Sequence, residues 1–129
     1  MPFGTDNGDN RRRAARHDAL LSVALRVAED GPHHDGRAVV SSISRSGIFV
    51  ATPTKAAVGQ TVRFEFTGPD GPCMAVGMII ENRGAMGFVV EFQGETMEMK
   101  SFFDLAERMD DASRWQLLQG IDDGVIEIV

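Results

Sequence analysis

The sequence predicts a mainly β protein, a small closed or nearly closed antiparallel barrel with a helix packed across one opening. Three observations carry that expectation. Short runs with apolar residues at every second position recur between residues 20 and 93, separated by turns bearing glycine or proline. After Gly94 the alternation gives way to a helical spacing. With 129 residues, 43% of them hydrophobic, the chain can build one core and has no room for a second.

Residues 1–10 include Gly4, Asp6, Gly8, Asp9 and Asn10, carry almost nothing to bury, and read as a disordered leader. Arg11, Arg12, Arg13 and Arg16 then crowd into an arm at 11–16, the sharpest charge asymmetry in a chain of net charge −6. Over 20–28, Leu21, Val23, Leu25 and Val27 alternate with Ser22, Ala24 and Arg26, which describes a half-buried first strand. Pro32 and Gly36 mark a turn, and a second strand over 37–43 runs into Ser44-Arg45-Ser46-Gly47, where Gly47 is expected to let the chain reverse tightly. Ile48-Phe49-Val50 follows.

Pro53 and Gly59 place a loop over 52–59, after which Val62, Phe64 and Phe66 alternate with Arg63 and Glu65. The turn-rich stretch 68–72 joins strands 61–67 and 74–82 as a hairpin, and another hairpin crosses 83–85 into 87–92. The barrel therefore occupies about 20–93 of a single domain at 11–119. Its helical part covers about 96–119: Met99, Phe102, Phe103, Ala106 and Met109 share one face, and a further short helix lies around 113–119 with Trp115 and Leu118. Residues 120–129 are an apolar tail. Val125, Ile126, Ile128 and Val129 must pack on their own domain, swap into a neighbour or face a partner.

Composition excludes several functions. The acidic balance does not suit a chain that coats DNA or an anionic membrane, and no stretch approaches the roughly 20 apolar residues of a bilayer span. With aromatics at 7% and no tyrosine, a base-stacking platform for single strands is missing. The lone Cys73 allows no internal disulfide and no cysteine zinc site, which suits a reducing cytoplasm, and buried filler is its reading. His33-His34-Asp35 reads as a solvated turn rather than a metal site, and His17 as structural or solvated. Met97, Met99 and Met109 offer either core packing or an adaptable partner surface. Without a nucleophile elbow, a metal-ligand pair or a phosphate-cradling loop, no enzyme is expected, and neither metal nor cofactor.

Two features remain. Arg12-x-x-x-Arg16 supplies planar guanidinium groups that fork onto phosphate oxygens or the O6/N7 edge of guanine, and can stack on a base. Ser42-Ile43-Ser44-Arg45-Ser46-Gly47 ends a strand in a hydroxyl-rich turn that gathers backbone N–H groups and side-chain hydroxyls. Alone, an arginine run is also the mark of a solvated tail, and a Ser-Gly turn is common.

Together the two resemble the PilZ domain family, bacterial receptor modules for cyclic di-GMP, which carry Arg-x-x-x-Arg before the first strand and (Asp/Asn)-x-Ser-x-x-Gly after the second. Arg12 and Arg16 match the first motif, also legible as Arg12-Arg13-x-x-Arg16, and Ser44 and Gly47 match the second. The likeness continues through Gly47-Ile48-Phe49-Val50, Val58-Gly59, 62–66 and 87–92 as far as Met109. It implies a six-stranded antiparallel barrel with a C-terminal α-helix, and a cytoplasmic, non-catalytic adaptor that orders its arm on cyclic di-GMP and signals to a protein partner in motility or surface behaviour. Arg12, Arg16, Ser42, Ser44 and Gly47 would hold the ligand, with Arg11, Arg13 and Arg45 as further contacts. The chain departs from the family at Ser42, whose single hydroxyl stands where Asp or Asn would reach a guanine edge. Loss of such a paired contact costs roughly 1–3 kcal/mol. The alternative is a degenerate module that works through protein–protein interaction without the nucleotide, and a homodimer is left open.

Overall fold

A computed structural model of the chain describes residues 17–27 and 35–129. The leader, the arginine arm and His33-His34 lie outside the described residues. The elements are β1 (His17–Val27), β2 (Asp35–Ser44), β3 (Gly47–Ala51), β4 (Thr61–Gly68), β5 (Gly71–Asn82), β6 (Phe88–Glu95), α1 (Met97–Glu107), α2 (Asp111–Gln119) and β7 (Val125–Ile128).

The strands close a barrel in the order β1-β2-β3-β6-β5-β4-β7. The class is the one expected, a mainly β barrel with C-terminal helix, but the staves number seven rather than six. The seventh is the apolar tail. β7 runs parallel to β1, with Ala24 opposite Val125, and antiparallel to β4, with Val62 opposite Ile128. Ile126 and Ile128 point into the core while Glu127 stays outside, where Arg63 Nη1 reaches its carboxylate at 3.2 Å. Of the three fates open to the tail, packing on its own domain is the one realised. Closure also leaves β1 and β4 without a free edge.

Alternation is strict where a strand has one wet face. Along β4, Val62, Phe64 and Phe66 are buried and the residues between them exposed. The hairpins begin and end somewhat beyond their expected limits: β4 and β5 pair out to Gly68 and Gly71, and Gly71 takes φ +127°. Between β5 and β6 a single 3-10 turn at Gly84–Met86 leads into Gly87, whose φ is +133°.

Two helices fill the stretch 96–119. Thr96 caps α1, its Oγ1 accepting from Met99 N at 3.3 Å, and Asp110 caps α2 by accepting from Ser113 N at 2.8 Å. Between them Arg114 donates to Ala106 O in the last turn of α1 and to Met109 O just beyond it. Met99, Phe102, Phe103 and Ala106 are buried, so the apolar face lies as its spacing requires, although the helix ends before Met109. The methionines divide: Met99 is core, Met97 is exposed. Phe102 meets Phe66 edge to face at 4.9 Å, which plugs the barrel with aromatic surface. Cys73 is buried as expected, and burial raises its thiol pKa.

Candidate ligand-binding site

The second motif occupies the β2–β3 hairpin. Ser44 pairs with Gly47 across a two-residue turn of Arg45 and Ser46. Ser44 is only 3% exposed, and its hydroxyl is spent on the turn itself. Its Oγ accepts from Ser46 N at 3.2 Å, lies 3.0 Å from Ser46 Oγ, and donates to Gly47 O at 3.4 Å. Ser44 therefore shapes the turn instead of projecting from it.

Gly47 is needed for a different reason than a tight reversal. Its φ is not positive, but a Cβ there would stand 2.0 Å from the carbonyl oxygen of Val90 on β6. Glycine is required because two backbones approach closely where Gly47 pairs with Glu91. Phe92 N then donates to Ser46 O at 2.8 Å, fixing the turn against β6.

Arg45 does not project freely into water. Its Nε lies 3.0 Å from Glu107 Oε2 and its Nη2 3.0 Å from Glu107 Oε1, while Nη2 also donates to Asp104. Those hydrogen bonds raise its already high pKa. A ligand anion would compete with two carboxylates of α1 for this guanidinium.

Ser42 is half-buried and sits where both neighbouring ladders slip. β1 carries an irregularity between Asp18 and Leu21, and β2 carries one between Val40 and Ser42 against β3. Such bulges re-aim side chains and cluster beside functional sites. Across β1, Ser42 faces Asp18; across β3, it faces Phe49, over whose ring Arg83 lies at 5.2 Å. Sequence reading missed Asp18 and Phe49, because only the strand register reveals them.

Beside this row a cleft of about 580 Å³ opens between the start of β1 and α2, lined by His17, Asp18, Asp111, Arg114 and Trp115 among others. The Nε2 of His17 is buried and has no hydrogen-bond partner among the described residues. Burial, and after it the nearby Arg114, lower its pKa against the opposite pull of Glu107 and Asp111, which disfavours the imidazolium.

Of the residues read from sequence, the structure brings Ser42, Ser44, Arg45 and Gly47 together on one hairpin. Arg11, Arg12, Arg13 and Arg16 lie outside the described residues. The chain leaves that arm directly into the hairpin's flank, since His17, the residue bonded to Arg16, pairs with Ile43 between the two motif serines. The model of the family described as PilZ domain matches residues 10–104.

The chain belongs to the PilZ domain family. That family consists of cyclic di-GMP-binding receptor modules. The match takes in the arm, the first six strands and most of α1, whereas α2 and the seventh stave lie beyond it. No curated protein and no solved structure matches the chain. Among the described residues of this PilZ domain, no group of three or more His, Cys, Asp or Glu could hold a metal ion, and no helix is long and apolar enough to cross a membrane.

Proposed function

We propose that this PilZ domain is a non-catalytic, cytoplasmic receptor for cyclic di-GMP that acts as an adaptor on a protein partner in bacterial motility or surface behaviour. The observation that carries the reading is the β1–β2 register, in which the residue following Arg16 pairs between Ser42 and Ser44. The first described residue after the arginine motif thereby enters the barrel on the flank that carries the second motif. Arg12 and Arg16, assisted by Arg11 and Arg13, grip phosphate and guanine, and Ser42 and the Ser44–Gly47 turn form the opposite jaw. Binding draws the arm onto the barrel and changes the surface offered to the partner.

A path for that change is supported by Arg45. A phosphate that draws its guanidinium away from Glu107 and Asp104 loosens the turn from α1, so the helix answers to the ligand. Isothermal calorimetry with cyclic di-GMP tests the reading. Micromolar or tighter binding that Arg16→Ala abolishes is expected, and absence of both heat and thermal shift in the unaltered chain overturns it.

A second reading, an interaction module that has lost the nucleotide, is favoured by Ser42 in the place of Asp or Asn. The apolar tail no longer supports it, because the tail is spent within the barrel.

A further inference from the structure

We infer that Asp18 supplies, from the neighbouring strand, the carboxylate that the motif lacks at position 42, and that it reads the Watson–Crick edge of a guanine. The inference rests on the cyclic di-GMP reading and names the specificity residue of that same site.

The first ground is register. Asp18 and Ser42 are direct partners in the antiparallel β1–β2 ladder. Directly opposed residues turn their side chains to the same face, with Cβ atoms about 4.5–5.5 Å apart. Their buried neighbours Ala19 and Ile43 face the core, which leaves the exposed Asp18 and half-buried Ser42 on the outer face together. A carboxyl group on Asp18 thus starts one strand spacing from the place where the family carries its own acidic or amide group.

The second ground is the local backbone. The ladder slips just after Asp18 on β1 and just before Ser42 on β2, so the two irregularities bracket this pair. Bulges at both members turn an otherwise regular sheet face into an individually shaped spot. Phe49, with Arg83 over its ring, completes the row on the far side of Ser42, while Asp18 also lines the adjoining cleft.

The third ground is chemistry. Guanine's edge presents N1–H and the exocyclic N2–H₂ side by side, two donors that want two acceptors in one plane. An ionised carboxylate has them, in the geometry that also suits bidentate recognition, and its bonds are charge-assisted. A serine hydroxyl can meet one donor and itself carries a proton. With Ser42 accepting one bond at most, the carboxylate of Asp18 completes the pair. Its charge opposes the ligand phosphates, so it serves at the base edge and leaves the phosphates to the arginines.

Calorimetry on the full chain, with cyclic di-GMP and with cyclic di-inosine monophosphate, which lacks the exocyclic amino group, tests this. The unaltered protein should prefer the guanine ligand at least about tenfold. Asp18→Ala should weaken cyclic di-GMP binding about 5- to 150-fold and bind both ligands alike. The isosteric Asp18→Asn, which keeps one acceptor oxygen and loses the other, should retain part of the preference and fall between the two. Moving the carboxylate across the ladder, Asp18→Ser with Ser42→Asp, should restore it. If the unaltered chain binds but Asp18→Ala and Asp18→Asn keep its affinity and its preference, the inference is wrong while the receptor reading stands. If the unaltered chain binds neither ligand, both fall.

Discussion

Arg45 forks onto Glu107, Nε to Oε2 and Nη2 to Oε1 each at 3.0 Å, and ties the hairpin of the family motif to the last turn of α1. Both side chains are about one-third exposed, so water screens the pair and its contribution to stability is small, roughly 0.2–1 kcal/mol. In the proposed receptor its consequence is for binding. Glu107→Gln should release the guanidinium toward an incoming phosphate and raise cyclic di-GMP affinity a few-fold, with little change in the urea midpoint. Calorimetry at low and high salt reads it, and unchanged affinity would remove Arg45 from the ligand's contacts.

The seventh stave makes the tail part of the closed barrel. Ile126 is fully buried between β1 and β4. Ile126→Ala should cost about 2–5 kcal/mol in urea unfolding through lost burial and the cavity left behind. Val129→Ala, at a half-exposed position beyond the strand, should cost less than about 0.5 kcal/mol. Equal effects would mean that the tail is not a stave.

Gly47 and Gly94 form a matched pair of tests. A methyl at Gly47 collides with Val90 O, a backbone atom that cannot step aside, whereas a methyl at Gly94 meets nothing within 4 Å among the described residues. Gly47→Ala should destabilise by about 1–3 kcal/mol and Gly94→Ala by less than about 0.5 kcal/mol. Because Gly47→Ala pushes β3 from β6, it should also weaken ligand binding more than its turn conformation alone would suggest.

His17 should give stability a pH dependence in the mildly acid range. Burial and Arg114 hold its pKa below the ordinary 6.5, against the opposite pull of Glu107 and Asp111. The unfolded chain therefore takes up the proton first, and protonation favours unfolding. Stability from this group is complete above about pH 6.5 and is lost as pH falls from there through the lower folded value. Urea midpoints between pH 8 and pH 5 should fall less steeply in His17→Asn than in the unaltered chain; parallel profiles would mean that the imidazole titrates freely.

What the sequence disclosed follows from which forces are local. Val62, Phe64 and Phe66 alternate because each strand has one face in the core, and Met99, Phe102, Phe103 and Ala106 keep a helical spacing because one face of α1 covers the barrel. These patterns are written in neighbouring residues. β7 is not: four residues give little periodicity, and its partners Ala24 and Val62 lie far back along the chain. Gly47 was legible as a required glycine, but its reason, the carbonyl of Val90, is a tertiary fact. The candidate site divides in the same way. Ser42, Ser44, Arg45 and Gly47 form a local motif, while Asp18 joins them only through the register of β1 against β2. That Ser44 spends its hydroxyl inward, and Arg45 its charge on Glu107, could be learned only from the packed hairpin.

The order of the staves also sets the order in which the molecule can be made. β1 and β2 are adjacent in sequence and can pair early, so the flank that carries the motif assembles from local chain. The gap between β1 and β4 stays open until Val125–Ile128 has been synthesised, and during that interval two long strand edges are unprotected. A chain stalled before those residues would hold the motif hairpin on an open sheet, with unpaired edges free to pair with another unfinished copy.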